Sequence, residues 1–256
     1  MSGLLTVRPM GLLLAICLWL AAGVACAQDA PLVFVGNVWE PWLLDASANE
    51  GAGECADVLQ AVAQRAGVEV VVRNMPKPRY QSMLRQHEAD GIVCASPAWD
   101  KELAGQLVYT PPFAYARDLV LLRPDLPQDV KAPSDLAGLQ VGATTGYWYG
   151  DEVHQLFQSG KARREDAPVM LYNIRKLAAG RLDALIAEQH EVQWASMRQG
   201  LPLRGFKRCY PFGAGEPVCI AIGRHRIELL PLFTSALEEL QRDGVLQAIA
   251  MRYRGE

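Results

Sequence analysis

Cysteine and histidine are the residue types in this chain best suited to covalent or metal chemistry. The 256 residues include six cysteines and four histidines. The histidines form no cluster, and no cysteine pair has the C-x-x-C spacing of a zinc site. No arrangement of Ser, His or Cys has the spacing of a catalytic nucleophile and its base. We therefore expect no metal, no cofactor and no enzymatic activity, and we expect binding chemistry from polar and aromatic side chains.

The first 27 residues have the pattern of a cleavable secretory signal peptide. Arg8 is their only charged residue, an apolar run covers 10–22, and the small-residue site Ala25-Cys26-Ala27 follows it. The run is shorter than the ~20 residues that a membrane span needs. We expect export and cleavage after Ala27. A transmembrane anchor and a lipoprotein linked through Cys26 are the alternatives.

Four cysteines follow the signal peptide, and an even number in an exported chain favours disulfide bonds. Cys209 and Cys219 flank a Pro/Gly-rich turn at 210–217, which makes them natural partners. Their pairing would leave Cys55 to bond with Cys94. Three pairings are possible from the sequence, and four free buried thiols are the alternative.

The composition is that of a globular chain. Half of the residues are hydrophobic, 21% are charged, and the formal net charge is −3. Such a chain is too apolar to be disordered and not basic enough to indicate a nucleic-acid partner. Its length suits one large domain or two small ones.

The first half of the chain alternates short β-rich runs with amphipathic helical runs. Within 55–66, apolar residues recur at helical spacing, and Gly67 ends that helix. This alternation predicts an α/β fold with a mainly parallel sheet. The predicted elements are strands at 31–36, 68–72 and 91–95 and helices at 55–66 and 80–88.

The second half restarts the same pattern. Apolar crossings at 113–127 and 209–222 predict a chain that leaves one lobe, builds a second and returns, with a hinge between them. The tail, 227–254, predicts two helices broken at Asp243-Gly244. The other predicted elements are strands at 139–143, 169–172 and 182–187, a short helix capped by Ser134, a helix directly after the turn at 144–146, and a helix capped by Asn173.

A series of local motifs runs through the chain, and their order and spacing carry more information than any one of them. They are Met75-Pro76-x-x-Arg79, Glu88-Ala89-Asp90-Gly91-Ile92, Ser96-Pro97, Tyr109-Thr110-Pro111-Pro112-Phe113, the segment from Ser134 to Gly142, the segment from Ala179 to Ala184, and the tail from Leu237 to Tyr253. With the export signal and the two α/β halves, this series resembles the bacterial periplasmic solute-binding proteins of the amino-acid-receptor group, solute-binding protein family 3. The resemblance covers essentially all of the chain after the signal peptide.

The resemblance implies a type II periplasmic binding protein, in which two lobes, each a mainly parallel sheet flanked by helices, are joined by two crossover strands that form a hinge. The implied division is a signal peptide at 1–27, a first lobe at 28–116 plus 219–256, and a second lobe at 117–218. It further implies a periplasmic monomer that captures a small polar, amino-acid-like solute between the lobes. The implied partner is the permease of an ABC importer in the inner membrane.

The resemblance also places ligand-binding residues in five regions around the cleft. The Thr144-Thr145-Gly146-Tyr147 turn is expected to present backbone N–H groups at a helix N-terminus, which attracts anions. Glu188 falls where the family usually has an Asp that holds the ammonium group of the ligand. The complete set of expected ligand-binding residues is Trp39, Trp42, Arg79, Tyr80, Cys94, Ser96, Lys101, Thr144, Thr145, Tyr147 and Glu188.

One departure from the family pattern concerns the ligand's carboxylate. Amino-acid receptors usually have a Thr and, three residues later, an Arg that clamps the α-carboxylate. Here the two positions are Ala98 and Lys101. Lys is a point charge and cannot reproduce the bidentate geometry of Arg. Either Arg79 takes over this role or the ligand is not an ordinary α-amino acid, while Glu188 still argues for a cationic group on it.

Two other functions are compatible with the same scaffold. A free-standing periplasmic sensory module would report ligand binding to a membrane receptor. A periplasmic dehydratase-type enzyme would need a general acid in the cleft, for which Glu188 is the candidate.

Overall fold

The computed structural model describes residues 30–45, 52–200, 203–209 and 215–254. The predicted signal peptide with its cleavage site after Ala27, and most of the turn between Cys209 and Cys219, lie outside these residues. Across the described part of the chain, no helix combines the length and apolar character needed to cross a membrane.

Short strands alternate with helices along the described residues, as predicted. The strands are β1 (Leu32–Gly36), β2 (Val70–Asn74), β3 (Gly91–Ala95), β4 (Leu107–Tyr109), β5 (Ala114–Ala116), β6 (Asp118–Leu122), β7 (Gln140–Thr144), β8 (Arg163–Ala167), β9 (Ala184–Glu188), β10 (Lys207–Cys209) and β11 (Glu216–Gly223). The helices are α1 (Glu54–Ala66), α2 (Lys77–Arg85), α3 (Asp151–Gln158), α4 (Met170–Ala178), α5 (Gln189–Gln199), α6 (Leu229–Arg242) and α7 (Val245–Arg254).

The strands form two separate sheets, which we call the first and the second sheet. The first sheet has the order β2-β1-β3-β11-β4, with β5 also paired to β11. The second sheet has the order β10-β6-β9-β7-β8. The chain passes from the first sheet to the second between β5 and β6, and it returns between β10 and β11. The two predicted crossings therefore exist, while the exact lobe boundaries 28–116, 117–218 and 219–256 remain a prediction.

Each sheet is mixed, which refines the expectation of mainly parallel sheets. In the first sheet β1 is parallel to β2 and β3, but β11 runs antiparallel to its neighbours. In the second sheet β7 is parallel to β8 and β9, but β6 is antiparallel to β9 and β10. The antiparallel strands are the ones next to the crossings, because a chain returning from the other sheet enters from the opposite end.

Apolar side chains cover both faces of both sheets. One core cluster joins Phe34 and Val93 to Val58 and Leu59 of α1 and to Phe233 of α6. A second cluster lies on the other face of the first sheet, and two more cover the two faces of the second sheet. Both sheets are thus buried on their two faces, which is why their strands are nearly continuous apolar runs in the sequence.

The N-terminus of α1 is fixed by the loop that follows β1. The N–H groups of Glu54 and Cys55 donate to the carbonyls of Pro41 and Trp42 at 3.1 and 2.9 Å, which satisfies two of the donors that a helix leaves free at its start. Gly53 has φ of 121°, and a Cβ there would lie 2.7 Å from the Trp42 carbonyl oxygen. Only glycine permits this close approach, so the helix start and the tryptophan loop form one unit.

A disulfide between Cys55 and Cys94 ties this unit to the end of β3. This bond confirms one of the two predicted pairings. The predicted Cys209–Cys219 pairing is wrong, because Cys219 is a free, buried thiol. Cys219 pairs in register with Ala95 in the first sheet, whereas Cys209 pairs with Val120 in the second. The sequence placed the two residues on either side of a turn, but they belong to different sheets.

Three local predictions in the second half are wrong. The strand expected at 169–172 is instead the start of α4, and the strand in this region is β8, earlier in the chain. Asn173 is a buried residue inside α4, where its amide donates to the carbonyl of Ala143 at 2.6 Å, and it is not a cap. At the short 3-10 helix Pro133–Leu136, the carboxylate of Asp135 and not Ser134 accepts the N–H groups of Lys131 and Ala132.

We predict that replacing both cysteines of the disulfide, Cys55→Ala with Cys94→Ala, lowers the free energy of unfolding by about 2–4 kcal/mol. The bond closes a loop with a sequence separation of 39 residues, and a cross-link of that size constrains the unfolded chain. Urea unfolding of the chain without its signal peptide measures the change.

Cys219→Ala is the matched control, since it removes a thiol that forms no bond, and we expect a loss of less than about 1.5 kcal/mol. Thiol titration of the unreduced, unfolded protein must also find Cys219 reactive. An unreactive Cys219 would restore the predicted second disulfide.

Candidate functional site

The candidate site lies where the ends of the strands of the two sheets come together. In the first sheet, the loops after β1 and β3 carry Trp39, Trp42 and Trp99. In the second sheet, the ends of β7 and β9 and the start of β6 meet at one edge, because β6 is antiparallel to β9. Ligands of open α/β sheets bind at such strand ends. We call the meeting point of these loops the junction.

Aromatic rings form one wall of the junction. The ring of Trp39 stacks on Trp42 with centroids 5.3 Å apart, and Trp99 meets Trp39 edge-on at 5.3 Å. From the second sheet's side, Tyr147 approaches the edge of Trp39 at 6.2 Å. The buried indole N–H of Trp39 has no acceptor among the described residues. Faces of aromatic rings in this arrangement attract cations.

Glu188 lies at the centre of the junction and is almost fully buried. Its Oε2 atom accepts the N–H groups of His190 and Glu191 at 2.8 and 3.0 Å, so it caps α5. The same oxygen accepts the indole N–H of Trp42 at 3.1 Å, from the loop of the first sheet. Oε1 lies 3.4 Å from the N–H of Arg117 and 3.0 Å from Nδ1 of His190.

These contacts change the interpretation of Glu188. Its carboxylate is at the place that the sequence predicts, but protein donors occupy both of its oxygens. The residue therefore acts first as a helix cap and as a link between the two sheets.

Two further carboxylates beside Glu188 have no such partners. Asp118 lies directly opposite Glu188 in the β6–β9 ladder, so both side chains are on the same face of the sheet. Glu191 follows Glu188 by three residues in α5, and its Oε2 atom is buried without a hydrogen-bond partner in the described part of the chain. Neither side chain forms an ion pair with any described residue.

The electrostatic consequence is a site that favours protons or cations. Burial, with the nearby charges of Glu188 and Glu216, raises the pKa of Asp118 to about 8. Burial also raises the pKa of Glu191 well above its usual range, and Glu188, Asp118 and Glu40 add to the effect. Burial and the neighbouring Glu191 likewise raise the pKa of the Tyr147 hydroxyl. An organic cation bound here would relieve the repulsion among these carboxylates.

The turn at 144–147 does not offer the anion site that the sequence suggests. The N–H group of Thr144 donates to the Tyr149 hydroxyl at 2.8 Å, that of Thr145 to the Ala167 carbonyl at 2.9 Å, and that of Tyr147 to the Thr144 carbonyl at 3.1 Å. The next helix, α3, begins only at Asp151 and has Asp151 and Glu152 in its first turn. Those three N–H groups have acceptors within the protein, and the helix begins later than expected with an acidic first turn, so the turn is not the helix N-terminus that the sequence predicts.

The two cationic side chains expected at the site are both exposed. Lys101 lies 3.4 Å from Asp151 and 4.2 Å above the ring of Trp148, and its side chain is 56% exposed. Because Lys101 and Asp151 belong to opposite sides, this pair is a second contact across the junction. Arg79 is exposed, and no described residue pairs with its guanidinium group.

The remaining predicted residues support the first-sheet side of the junction from within. The hydroxyl of Tyr80, a buried residue, lies 3.4 Å from Asp100, and Lys77 donates to the Trp99 carbonyl at 2.6 Å. Ser96 is fully buried, and its carbonyl accepts the N–H groups of Trp99 and Asp100. Cys94 has its sulfur in the disulfide. Tyr80, Ser96 and Cys94 thus hold the turn that presents Trp99.

Sequence reasoning missed Trp99, Asp118 and Glu191. The spacing Glu188-x-x-Glu191 resembles a helix-start signal, in which a capping side chain is followed by Glu three residues later. Asp118 is a charged residue at the start of an apolar strand, which is an unusual position for a carboxylate. No group of three His, Cys, Asp or Glu side chains suited to a metal ion occurs in the ranges that the structure describes.

Comparison with known proteins places this arrangement among ligand receptors. The model of the bacterial extracellular solute-binding proteins, family 3, matches residues 33–256. The probable amino-acid-binding protein YxeM of Bacillus subtilis (strain 168) is 24% identical over 155 residues, which are 58% of this chain and 55% of that protein. The match therefore spans about half the length of that relative.

Solved structures agree in fold. An ancestral arginine-binding protein bound to arginine is 22% identical, with a TM-score of 0.70, and the match covers 88% of this chain and 99% of that one. A histidine kinase sensor domain with similarity to periplasmic binding proteins is also 22% identical, with a TM-score of 0.72, covering 89% of this chain and 97% of that one. These likenesses confirm the predicted two-lobed α/β fold.

We predict that Asp118→Asn stabilises the ligand-free protein more at pH 8 than at pH 4. An Asp carboxyl whose pKa is raised by folding binds its proton more tightly in the folded state than in the unfolded chain. Its contribution to the free energy of unfolding is therefore lost as the pH rises from about 4 to about 8. The neutral amide does not titrate and so loses no stability over this range. The free energy of unfolding of the variant minus that of the natural protein should therefore increase from pH 4 to pH 8 by at least about 1.4 kcal/mol, the equivalent of one pKa unit.

Urea unfolding of both proteins at the two pH values measures this difference. Glu238→Gln, at an exposed carboxylate on α6, is the control and should show no such growth. If Asp118→Asn changes the free energy of unfolding by the same amount at both pH values, the pKa of Asp118 is not raised.

We predict that Glu188→Ala lowers the free energy of unfolding by about 2–4 kcal/mol. The change removes the cap of α5 and leaves the buried Trp42 N–H without an acceptor. Glu188→Gln keeps an acceptor oxygen and should lose less than half as much. Equal losses in the two variants, measured by urea unfolding, would mean that the charge and not the hydrogen bonding of Glu188 is what stabilises the fold.

Proposed function

Because the chain belongs to the bacterial extracellular solute-binding proteins of family 3, we propose that it is a periplasmic binding protein that captures a small amino-acid-like solute with a cationic group. The junction between the two sheets is the proposed binding site. The observation that carries the proposal is the presence of two half-buried carboxylates beside Glu188, Asp118 and Glu191, that lack a cationic partner among the described residues.

The charge and shape of the junction support a cationic group on the solute. Two like charges near Glu188 cost free energy in the empty protein, and a cation between them removes that cost. Tyr147 lies within electrostatic range of Glu191 and Asp118, and its ring contacts Trp39, which contacts Trp99 in turn. These rings would add cation–π attraction. The relative whose structure holds arginine has the same fold, which is compatible with this choice of ligand.

Contacts across the junction suggest how binding would be coupled to the arrangement of the two sheets. Trp42–Glu188 and Lys101–Asp151 join side chains from opposite sides. A ligand that contacts both the tryptophan loop and the start of α5 would favour the arrangement in which these pairs are made. We propose that this ligand-bound arrangement is the one presented to the permease of an ABC importer.

A sensory role is the second candidate, because a histidine kinase sensor domain has a similar fold. Uptake measurements separate the two. If the gene is deleted, loss of uptake of the solute supports delivery to an importer, whereas normal uptake with a lost transcriptional response supports sensing.

We predict that Asp118→Asn and Glu191→Gln each weaken binding of a cationic solute at least tenfold, because each removes one charge that the solute would neutralise. Isothermal titration calorimetry with L-arginine and L-lysine at pH 8 measures the dissociation constants. Glu238→Gln is the matched control, since it removes an exposed carboxylate far from the junction in sequence and should leave affinity within twofold.

Tight binding of neutral or acidic amino acids but not of the cationic probes would contradict the proposal. Unchanged affinity in both junction variants would move the site elsewhere.

A further inference from the structure

We propose that the preferred solute is an organic dication without a carboxylate, of the diamine or guanidinoalkylamine type. This inference rests on the proposed function and narrows it, because it asks which of the cationic solutes the junction accepts.

The number of carboxylates without a cationic partner indicates how many positive charges the solute should carry. Glu188 is already satisfied by the donors of His190, Glu191 and Trp42. Asp118 and Glu191 have no cationic partner among the described residues, and Glu40 lies within electrostatic range of Glu191. A solute with two positive charges can form an ion pair with each of the two half-buried carboxylates, whereas a solute with one leaves the other carboxyl to hold its proton and gains only one ion pair.

Among the described residues no Lys or Arg side chain is buried, so a ligand carboxylate would find no desolvated cation. Arg117, next to Asp118 in the chain, is exposed. Lys101 is held by Asp151 and Trp148, with more than half of its side chain exposed. Arg254, whose guanidinium carbon lies 5.9 Å from the centre of the Trp42 ring, pairs with the buried Glu54 at 2.8 Å. Arg79 is exposed without a described partner. A carboxylate brought into the junction would therefore add a like charge to the acidic cluster.

Neutral donors do not make up for this lack. The N–H groups of Thr144, Thr145 and Tyr147 are all bonded within the protein. The indole N–H of Trp39 and the hydroxyl of Thr144 are unpaired among the described residues, but two neutral donors compensate only part of the cost of burying a carboxylate. Proteins hold anions with desolvated cationic forks or with several free backbone N–H groups in a row, and the described part of the junction has no buried cation and three of the four N–H groups of its 144–147 turn already bonded.

The test compares ligands that differ only in the carboxylate. Arginine is paired with agmatine and lysine with cadaverine, using the chain without its signal peptide and calorimetry at pH 8. We expect agmatine and cadaverine to bind at least tenfold more tightly than the amino acids from which they differ. Pentylamine, which has the chain of cadaverine but one charge, should bind at least tenfold more weakly than cadaverine.

Two variants control for an unrecognised carboxylate site. Lys101→Met and Arg79→Met should leave the ratio of arginine to agmatine affinity within twofold, even if both affinities change. A ratio that moves further toward agmatine in either variant would show that its cation contacts a ligand carboxylate and would overturn the inference.

The outcomes also separate this inference from the proposed function. Suppose that arginine binds at least as tightly as agmatine and that Asp118→Asn still weakens arginine binding. The proposed cation site is then supported, and the inference that the preferred solute has no carboxylate is wrong. If pentylamine binds as tightly as cadaverine, the inference that the solute carries a second positive charge is wrong. If no cationic probe binds, both the proposed function and the inference fail.

Discussion

The hydrogen bond from Trp42 to Glu188 is the contact on which the arrangement of the junction depends. It joins a loop of the first sheet to the start of a helix behind the second sheet, and the same carboxylate caps that helix. Each end is anchored further. Trp42 belongs to the loop that holds the start of α1, and Cys55 in that helix is bonded to Cys94 at the end of β3. A buried carboxylate is stable only when its oxygens are satisfied, and here the donors that satisfy it come from both sides.

This use of Glu188 explains why the other carboxylates matter. A charge that is fully bonded inside the protein is unavailable to a solute, whereas Asp118 and Glu191 stand beside it without a cationic partner among the described residues. Loss of contact with water, with the charges of Glu188 and Glu216 nearby, disfavours the ionised form of Asp118 in the empty protein and raises its pKa to about 8. Binding sites commonly keep such unfavourable charges, because a ligand can then relieve them. The aromatic rings limit what can enter, since they attract cations and offer little to an anion.

Sequence patterns predicted the local elements best where one signal dominated. The helical spacing within 55–66 and the stop at Gly67 gave α1 within one residue, and the break at Asp243-Gly244 separated the last two helices correctly. The patterns failed at 163–178. There the polar β8 has no apolar signature because it is an edge strand of the second sheet, and the apolar start of α4 looked like a strand. Both errors arise because periodicity alone does not distinguish short apolar segments.

The sequence by itself determined the two-lobed α/β order and the crossings, since these follow from apolar periodicity and turn residues. The regions expected at the junction came instead from the family resemblance that the motifs carry. Only the tertiary structure decided which side chains remain available there. Whether Glu188 binds a solute or caps a helix, whether Lys101 points inward or pairs with Asp151, and whether Cys219 forms a bond all depend on partners distant in the chain. Asp118 illustrates the reason. Its carboxylate becomes part of a site only because the register of β6 against β9 puts it opposite Glu188, and hydrogen-bond register between distant strands is not encoded in either strand alone.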